Sequence, residues 1–530
     1  MSMIPLSLSL NYWEEFKIQP FDIEFLYNFL LEIEIPQTSI ELAKALIKER
    51  IRIEQNSLVE QRDAPSNTYL PKNQYEIGQT ISFPFNNWEK GQVIGTREGF
   101  NPDYPAFNVI EVEFEEGIRK EFASNFPDHK LNTPLEINKD DPSLNSDYVI
   151  NKYLKEITAL LNDYLESNDD LIQIAGKWFP RALFVDIGPG YLNLAEAVLE
   201  VEEGGPLTTN AILGQIEFPT DVNSKLTEFS FNFALQEDPR FDEVGPAGET
   251  LWFLHRLEPD EVQKSPQFLQ FSSTPAQTNN TFKMDFSNLI FDEHEISQQQ
   301  TDLINEITIS LIYPHWRSGS LPLTPQMSQL FPTAYEAPRL LFTFVDEGTG
   351  KKFPGWIVRP EKYITGLREY YLENELIPGS LINIKKGEKP GEVLLSLSKK
   401  RQVREWIKTA LVSADGKVVF ALLKQLVSHT YDERLAIAIP DLVSLDELWK
   451  KNINLKTPMD QTIHYCLRDL TKLNPQGQVH LQELYAAVNV IRRCPPGLIL
   501  KTLAENTWAE HLGDMYFKLS DQTVQKEKDA

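Results

Sequence analysis

The chain has 530 residues, 41% of them hydrophobic, which is enough for several cores and predicts roughly three to five domains. No apolar run reaches the ~18 residues that a membrane helix needs, and the start MSMIPLSLSLNYWEEF lacks the basic region of a signal peptide. Two cysteines, Cys466 and Cys494, exclude a disulfide framework and a cysteine-based zinc site; a formal net charge of -26 repels phosphate at long range. A cytoplasmic protein with buried free thiols is expected, and nucleic acid would have to meet a local basic patch.

From the N-terminus, residues 21–55 read as a helical pair inside a domain at 12–56. FDIEFLYNFLLEIEI is apolar at helical spacing, Pro36 stops it, and Thr38-Ser39-Ile40-Glu41 offers a capping box to the next helix. A third helix–turn–helix pattern, in degenerate form, is one reading of this pair. After a linker, 75–126 alternates with period two between Gly, Asn and Pro, within a predicted domain at 75–132. This segment resembles an SH3- or Tudor-like barrel. Such barrels bind peptides or nucleic acid; the plainer reading is that Trp88, Phe100, Tyr104 and Phe107 fill or cover a small core.

The next domain is expected at 147–260, opening with a helix at about 147–166. In LNLAEAVLEVEE, helical spacing puts Leu194, Ala197, Val198 and Val201 on one face. Gly204-Gly205-Pro206 ends that helix, and Thr208-Thr209 can cap the next. NSKLTEFSFNFALQED is a third helix, with Leu226, Phe229, Phe233 and Ala234 expected inside. RFDEVGPAGETLWFL then gives two short strands around a turn. Residues 190–258, through GGPLTTNAI and DPRFDEVG…LWFL, resemble the HARE-type winged helix–turn–helix module found in the delta subunit of bacterial RNA polymerase and in DNA-associated proteins. The resemblance implies a role in transcription or another DNA-linked process.

Residues 301–450 are expected to form a strand-rich α+β domain, opening with a helix at 301–312. Its segment 338–398, with one helix at Tyr363–Glu373, is similar to the B3-like pseudobarrel, a DNA-binding fold. Helices are predicted at 401–412 and 416–429. Lys385, Lys386, Lys389, Lys399, Lys400, Arg401, Arg404 and Lys408 make the clearest basic island of an acidic chain, and Trp406 offers a stacking platform. A solvated helix face is the plainer reading.

The last domain, 457–520, repeats the helix–turn–helix plan. TIHYCLRDLTKL, then Leu481, Leu484, Tyr485 and Val488 at helical spacing, then LILKTLAENT and a terminal strand MYFKLS resemble a second winged helix. Its third helix offers Lys501 against Glu505 and Glu510, and the earlier one Lys225 against Glu228, Glu237 and Asp238. Both are poor phosphate readers. Arg492-Arg493 is the exception and a candidate backbone contact, or simply a solubilising pair.

No phosphate-binding loop, nucleophile elbow or paired-histidine metal motif occurs. Gly188-Pro189-Gly190 reads as a turn. Asp292-Glu293-His294-Glu295 gathers metal-ligand types, but the spacing reads as a solvated helix start. The expectation is a non-enzymatic, multidomain α+β protein without cofactor or metal, combining winged-helix modules with small barrel-like domains. It would dock protein and touch nucleic acid through Lys399, Lys400, Arg401, Arg404, Arg492 and Arg493. A protein-interaction scaffold without nucleic acid is the alternative, and an enzyme with an unrecognised site a third class.

Overall fold

A computed structural model describes all residues except 1–4, 7, 9–10, 64–67, 84–88, 115–116, 133–135, 138–140, 217, 219–222, 272–288, 295–303, 335–336, 455–457 and 521–530. The chain is α+β and divides into two compact units, residues 1–173 with 177–184, and 174–176 with 185–530.

In the first unit Pro20 starts the helix Pro20–Ile33, where its missing N–H costs nothing, and Asp22 accepts from the Gln19 amide at 2.7 Å. The strand Gln37–Thr38 leads into the helix Ser39–Asp63. Glu41 accepts from the Thr38 amide at 2.8 Å, and the Thr38 hydroxyl accepts from the Glu41 amide at 3.3 Å, so the predicted capping box forms. The two helices are tied by a buried fork: Arg50 Nε and Nη2 lie 2.6 and 2.7 Å from the two Asp22 oxygens.

The pair is not a domain. Helix Ser146–Leu165 packs on Ser39–Asp63 through Val149, Tyr153, Ile157, Leu161 and Leu165, spaced by four on one face. The hairpin Leu171–Ile174 and Lys177–Pro180 follows, and Lys177–Pro180 pairs with Gln37–Thr38. The helix expected to open a domain at 147 thus lies within the first compact unit, against the N-terminal helices. Between the second and third helices the chain inserts a four-stranded antiparallel sheet, Thr80–Phe83, Glu89–Glu98, Asn108–Phe114 and Arg119–Ser124. Its core is Tyr69, Tyr75, Ile81, Phe83, Val93, Ile110, Val112 and Phe114. Phe100, by contrast, is exposed and Tyr104 largely so; Phe107 stacks on Phe126, and Trp88 lies outside the described residues.

The second unit opens with helix Pro189–Val201, strand Leu207–Thr208, helices Thr209–Gln215 and Ser224–Glu237, and strands Phe241–Glu243 and Leu251–Leu254. Gly205 has φ +120°, and a Cβ there would lie 2.6 Å from the Trp252 carbonyl oxygen, so no larger residue fits the turn. The core is Ala195, Leu199, Ile212, Phe231, Leu235, Phe241, Trp252 and Leu254. Two expected faces are displaced. Leu194 and Val201 are exposed while Ala195 and Leu199 are buried. Phe229 is buried as expected, but Phe233 is only half-buried, and Phe231 with Leu235 fills the core. In a helix rich in phenylalanine several faces look apolar, and spacing alone does not choose among them.

A seven-stranded sheet follows, in the order Glu306–Ser310, Leu381–Lys386, Glu392–Ser396, Arg339–Asp346, Lys352–Val358, Tyr363–Thr365 and Ser320–Pro322. Helix was expected at 301–312, but the β-branched run Ile307-Thr308-Ile309 is strand. Tyr363–Thr365 is also strand, with the helix confined to Arg368–Glu373. The predicted helices at 401–412 and 416–429 are instead two long antiparallel strands, Lys399–Val412 and Val418–His429. Asp415-Gly416 supplies the tight turn, with Gly416 at φ +75°.

Helix Leu442–Asn454 precedes the C-terminal module: Met459–Thr471, Val479–His480, Leu481–Ile491, Pro496–Glu505, Ala509–Gly513 and Tyr516–Leu519. Leu481, Leu484, Tyr485 and Val488 are buried as predicted. One order thus occurs three times: helix, two-residue strand, helix, helix, hairpin. Each time the short strand pairs with the last strand of the hairpin. In the first copy the four-stranded sheet is spliced between the second and third helices.

Candidate interaction surface on the β-ribbon

The two long strands form a ribbon whose ends differ. Near the turn, Ala410, Val418 and Phe420 join the core containing Trp449, Leu445 and Cys466. The other half, Lys399–Arg404, is exposed. The register steps four residues on one strand, Lys399 to Val403, against two on the other, His429 to Val427. Lys400, Arg401 and Gln402 therefore sit on a bulge, which turns side chains away from the ladder.

Beyond the bulge Arg404 faces Leu426, Trp406 faces Lys424, and Lys408 faces Leu422. Facing pairs two residues apart share a side of the ribbon, so these six form one strip. Lys424 Nζ lies 5.4 Å from the Trp406 ring centroid, a cation–π contact. Lys400 Nζ lies 5.0 Å from the Tyr431 ring. The Tyr431 hydroxyl donates to Glu405, and burial followed by that carboxylate pushes its pKa up. Trp406 is 64% exposed and Leu426 56%, large apolar faces left to solvent.

The strip runs into a groove of about 390 Å³ lined by Trp406, Lys408, Leu422, Tyr431, Leu470 and Leu473. Lys408 leaves the basic island: it is buried, and its Nζ donates to Glu483 Oε1 at 2.8 Å and to the Arg434 and Glu433 carbonyls at 2.9 and 3.0 Å. Lys399, Lys400, Arg401 and Arg404 stay together on the exposed half, as the sequence groups them.

Arg492 and Arg493 part company. Arg492 is half-buried at the end of its helix. Arg493 is 1% exposed and cannot meet a phosphate. Its Nη2 lies 2.8 Å from Asp292 Oδ1 and 2.9 Å from Glu293 Oε1, and Nη1 donates to Asn489 at 3.0 Å. Asp292 also accepts from the Tyr485 hydroxyl at 2.6 Å, and Glu293 Oε2 lies 2.9 Å from His315 Nε2. Burial alone would raise the Glu293 carboxyl, but Arg493 and His315 hold it well below the usual range. The supposed solvated helix start is thus the acidic half of a buried ion cluster. The signal was there in kind, two adjacent carboxylates and an arginine, but 200 residues separate Glu293 from Arg493. Cys466 and Cys494 are buried free thiols, and burial pushes Cys494 up to about 12.

A second cluster, unnoticed in the sequence, joins Asp242, His255 and Glu258. Arg339 Nη1 fills the middle, 2.5 Å from Asp242, 3.4 Å from His255 Nδ1 and 3.7 Å from Glu258. A cation already stands where a metal would bind. Burial and then Asp242 push Glu258 up to about 8, so Glu258 holds a proton at neutral pH.

The chain matches no protein-family model, no curated protein and no solved structure with which it was compared. Among the described residues no helix is long and apolar enough to cross a membrane.

Proposed function

We propose that the chain is a cytoplasmic, non-enzymatic docking protein of DNA-linked processes such as transcription. In this reading its three repeated units are winged-helix modules, and the one at 190–258 is of HARE type. The observation that supports it is the shared order, helix–strand–helix–helix–hairpin, with one strand pairing in all three. A winged helix reads DNA with its third helix. Here Ser224–Glu237 carries Glu228 and Glu237 beside Lys225, and Pro496–Glu505 buries most of its length. Such helices suit protein partners better than phosphate. Nucleic-acid contact, where the protein makes it, belongs to Lys399, Lys400, Arg401 and Arg404 on the ribbon.

Tagged protein purified from its native host, with and without nuclease, tests the reading. Defined transcription or DNA-processing proteins should co-purify, and should persist after nuclease. The scaffold reading without DNA-linked work predicts partners from other processes. Purification of the chain alone under both conditions removes the docking proposal altogether.

A further inference from the structure

The ribbon strip combines two features that a single kind of partner satisfies. Arg404 and Lys424 alternate with Leu426 and Trp406 on one side, and Leu422 continues the side into the groove. Among the described residues Lys399, Lys400, Arg401, Arg404 and Lys424 have no carboxylate within ion-pair distance. The apolar members are exposed at 56% for Leu426, 64% for Trp406 and 43% for Leu422. Charges farther than a Debye length of ~8 Å are largely screened, so a ligand at the strip meets these cations ahead of the acidity of distant parts of the chain.

We propose that this strip and groove hold an acidic, leucine- or phenylalanine-bearing peptide segment of a partner protein. The proposal rests on the docking reading above and names the chemistry of one docked partner. The peptide's carboxylates meet Arg404, Lys424 and the Lys400-Arg401 bulge, and its apolar side chains cover Leu426 and Trp406 and enter the groove. Nucleic acid fits less well. Phosphate gives Leu422 and Leu426 nothing to bury against. A ribbon reads DNA by lying in the major groove, but this ribbon's turn end is embedded, with Ala410, Val418 and Phe420 in the core.

The test uses the full chain and a short fluorescent peptide alternating glutamate with leucine and phenylalanine, at ~0.15 M salt. Competitors are the same peptide with lysine for glutamate, and single-stranded and duplex DNA. The acidic peptide should bind, and Trp406→Ala and Arg404→Glu should each weaken it by at least about tenfold. Both side chains are exposed, so both variants should keep the wild-type melting temperature; Lys424→Glu serves if either does not. The lysine peptide and DNA should not compete. The assignment is overturned by absent binding, by equal binding of the lysine peptide, or by affinity indifferent to the substitutions. Displacement of the peptide by DNA would make the strip a nucleic-acid site instead. Host partners retained by Trp406→Ala and Arg404→Glu, with no peptide bound, would leave the docking function standing and remove this site.

Discussion

Arg493 is a full charge sealed inside the C-terminal half of the chain, and its worth lies in what its loss would strand. Arg493→Ala leaves Asp292 without its guanidinium and Glu293 with His315 but no guanidinium. That should cost ~3–5 kcal/mol in urea unfolding, because a buried charge without its partner pays full desolvation. Arg493→Met together with Asp292→Asn and Glu293→Gln should recover much of the loss; equal instability of both variants would mean that the cluster's charge is irrelevant. Glu258 makes a different case. Its folded pKa, about 8, lies above the ordinary 4.5. Between those values the native state holds a proton that the unfolded state has lost, so stability falls as pH rises through this window, by on the order of a few kcal/mol. Glu258→Gln should remove that part of the slope and be more stable than wild type at pH 8 relative to pH 5. Parallel curves for the two proteins would show that Glu258 is ionised throughout. Neither cluster could be read from sequence: Asp242 and Arg339 lie 97 residues apart, and only the fold brings them together.

At the scale of elements, the ribbon and the helical faces show where periodicity decides and where it does not. Helices are expected at 401–412 and 416–429, where lysine, arginine, glutamate and leucine, all good helix formers, are interspersed with other residues. The β-branched and aromatic positions Val403, Trp406, Thr409, Val418 and Phe420, with Asp415-Gly416 between two runs, tell for a hairpin. A Cβ at Gly416 would meet nothing closer than 3.9 Å, so Gly416→Ala should cost roughly 1–2 kcal/mol from positive φ alone. Gly205→Ala adds a clash with the Trp252 carbonyl and should cost more; the reverse order in thermal melts would contradict the two turn geometries. In the helix Ser224–Glu237, Phe231→Ala should cost ~3–5 kcal/mol and Phe233→Ala clearly less, since only Phe231 is fully buried. The strand Leu251–Leu254 was legible because spacing changes from helical to alternating after Phe241. The C-terminal helices were legible because their apolar stripes are clean and Pro495-Pro496 separates them.

The whole molecule repeats one plan three times, and what hid the first copy was an insertion. Two helices stood in view at 21–55, but the third begins only at Ser146, after an entire four-stranded sheet. The same acidity pervades all of it: 77 Asp and Glu against 51 Lys and Arg. Most cations with a named partner sit at the surface, such as Arg97 with Glu121 and Lys351 with Glu373, and such exposed pairs contribute little. The unpaired excess repels itself and opposes compaction. Salt screens that repulsion over ~10 Å at 0.1 M and ~3 Å at 1 M, but reaches buried pairs such as Asp22–Arg50 and Glu293–Arg493 far less. Sodium chloride raised from low to near-molar concentration should therefore raise the melting temperature, by about 2–4 °C for each kcal/mol of repulsion relieved. Melting that instead falls with salt would place the stabilising electrostatics in the exposed ion pairs, and the buried forks would then be minor contributors.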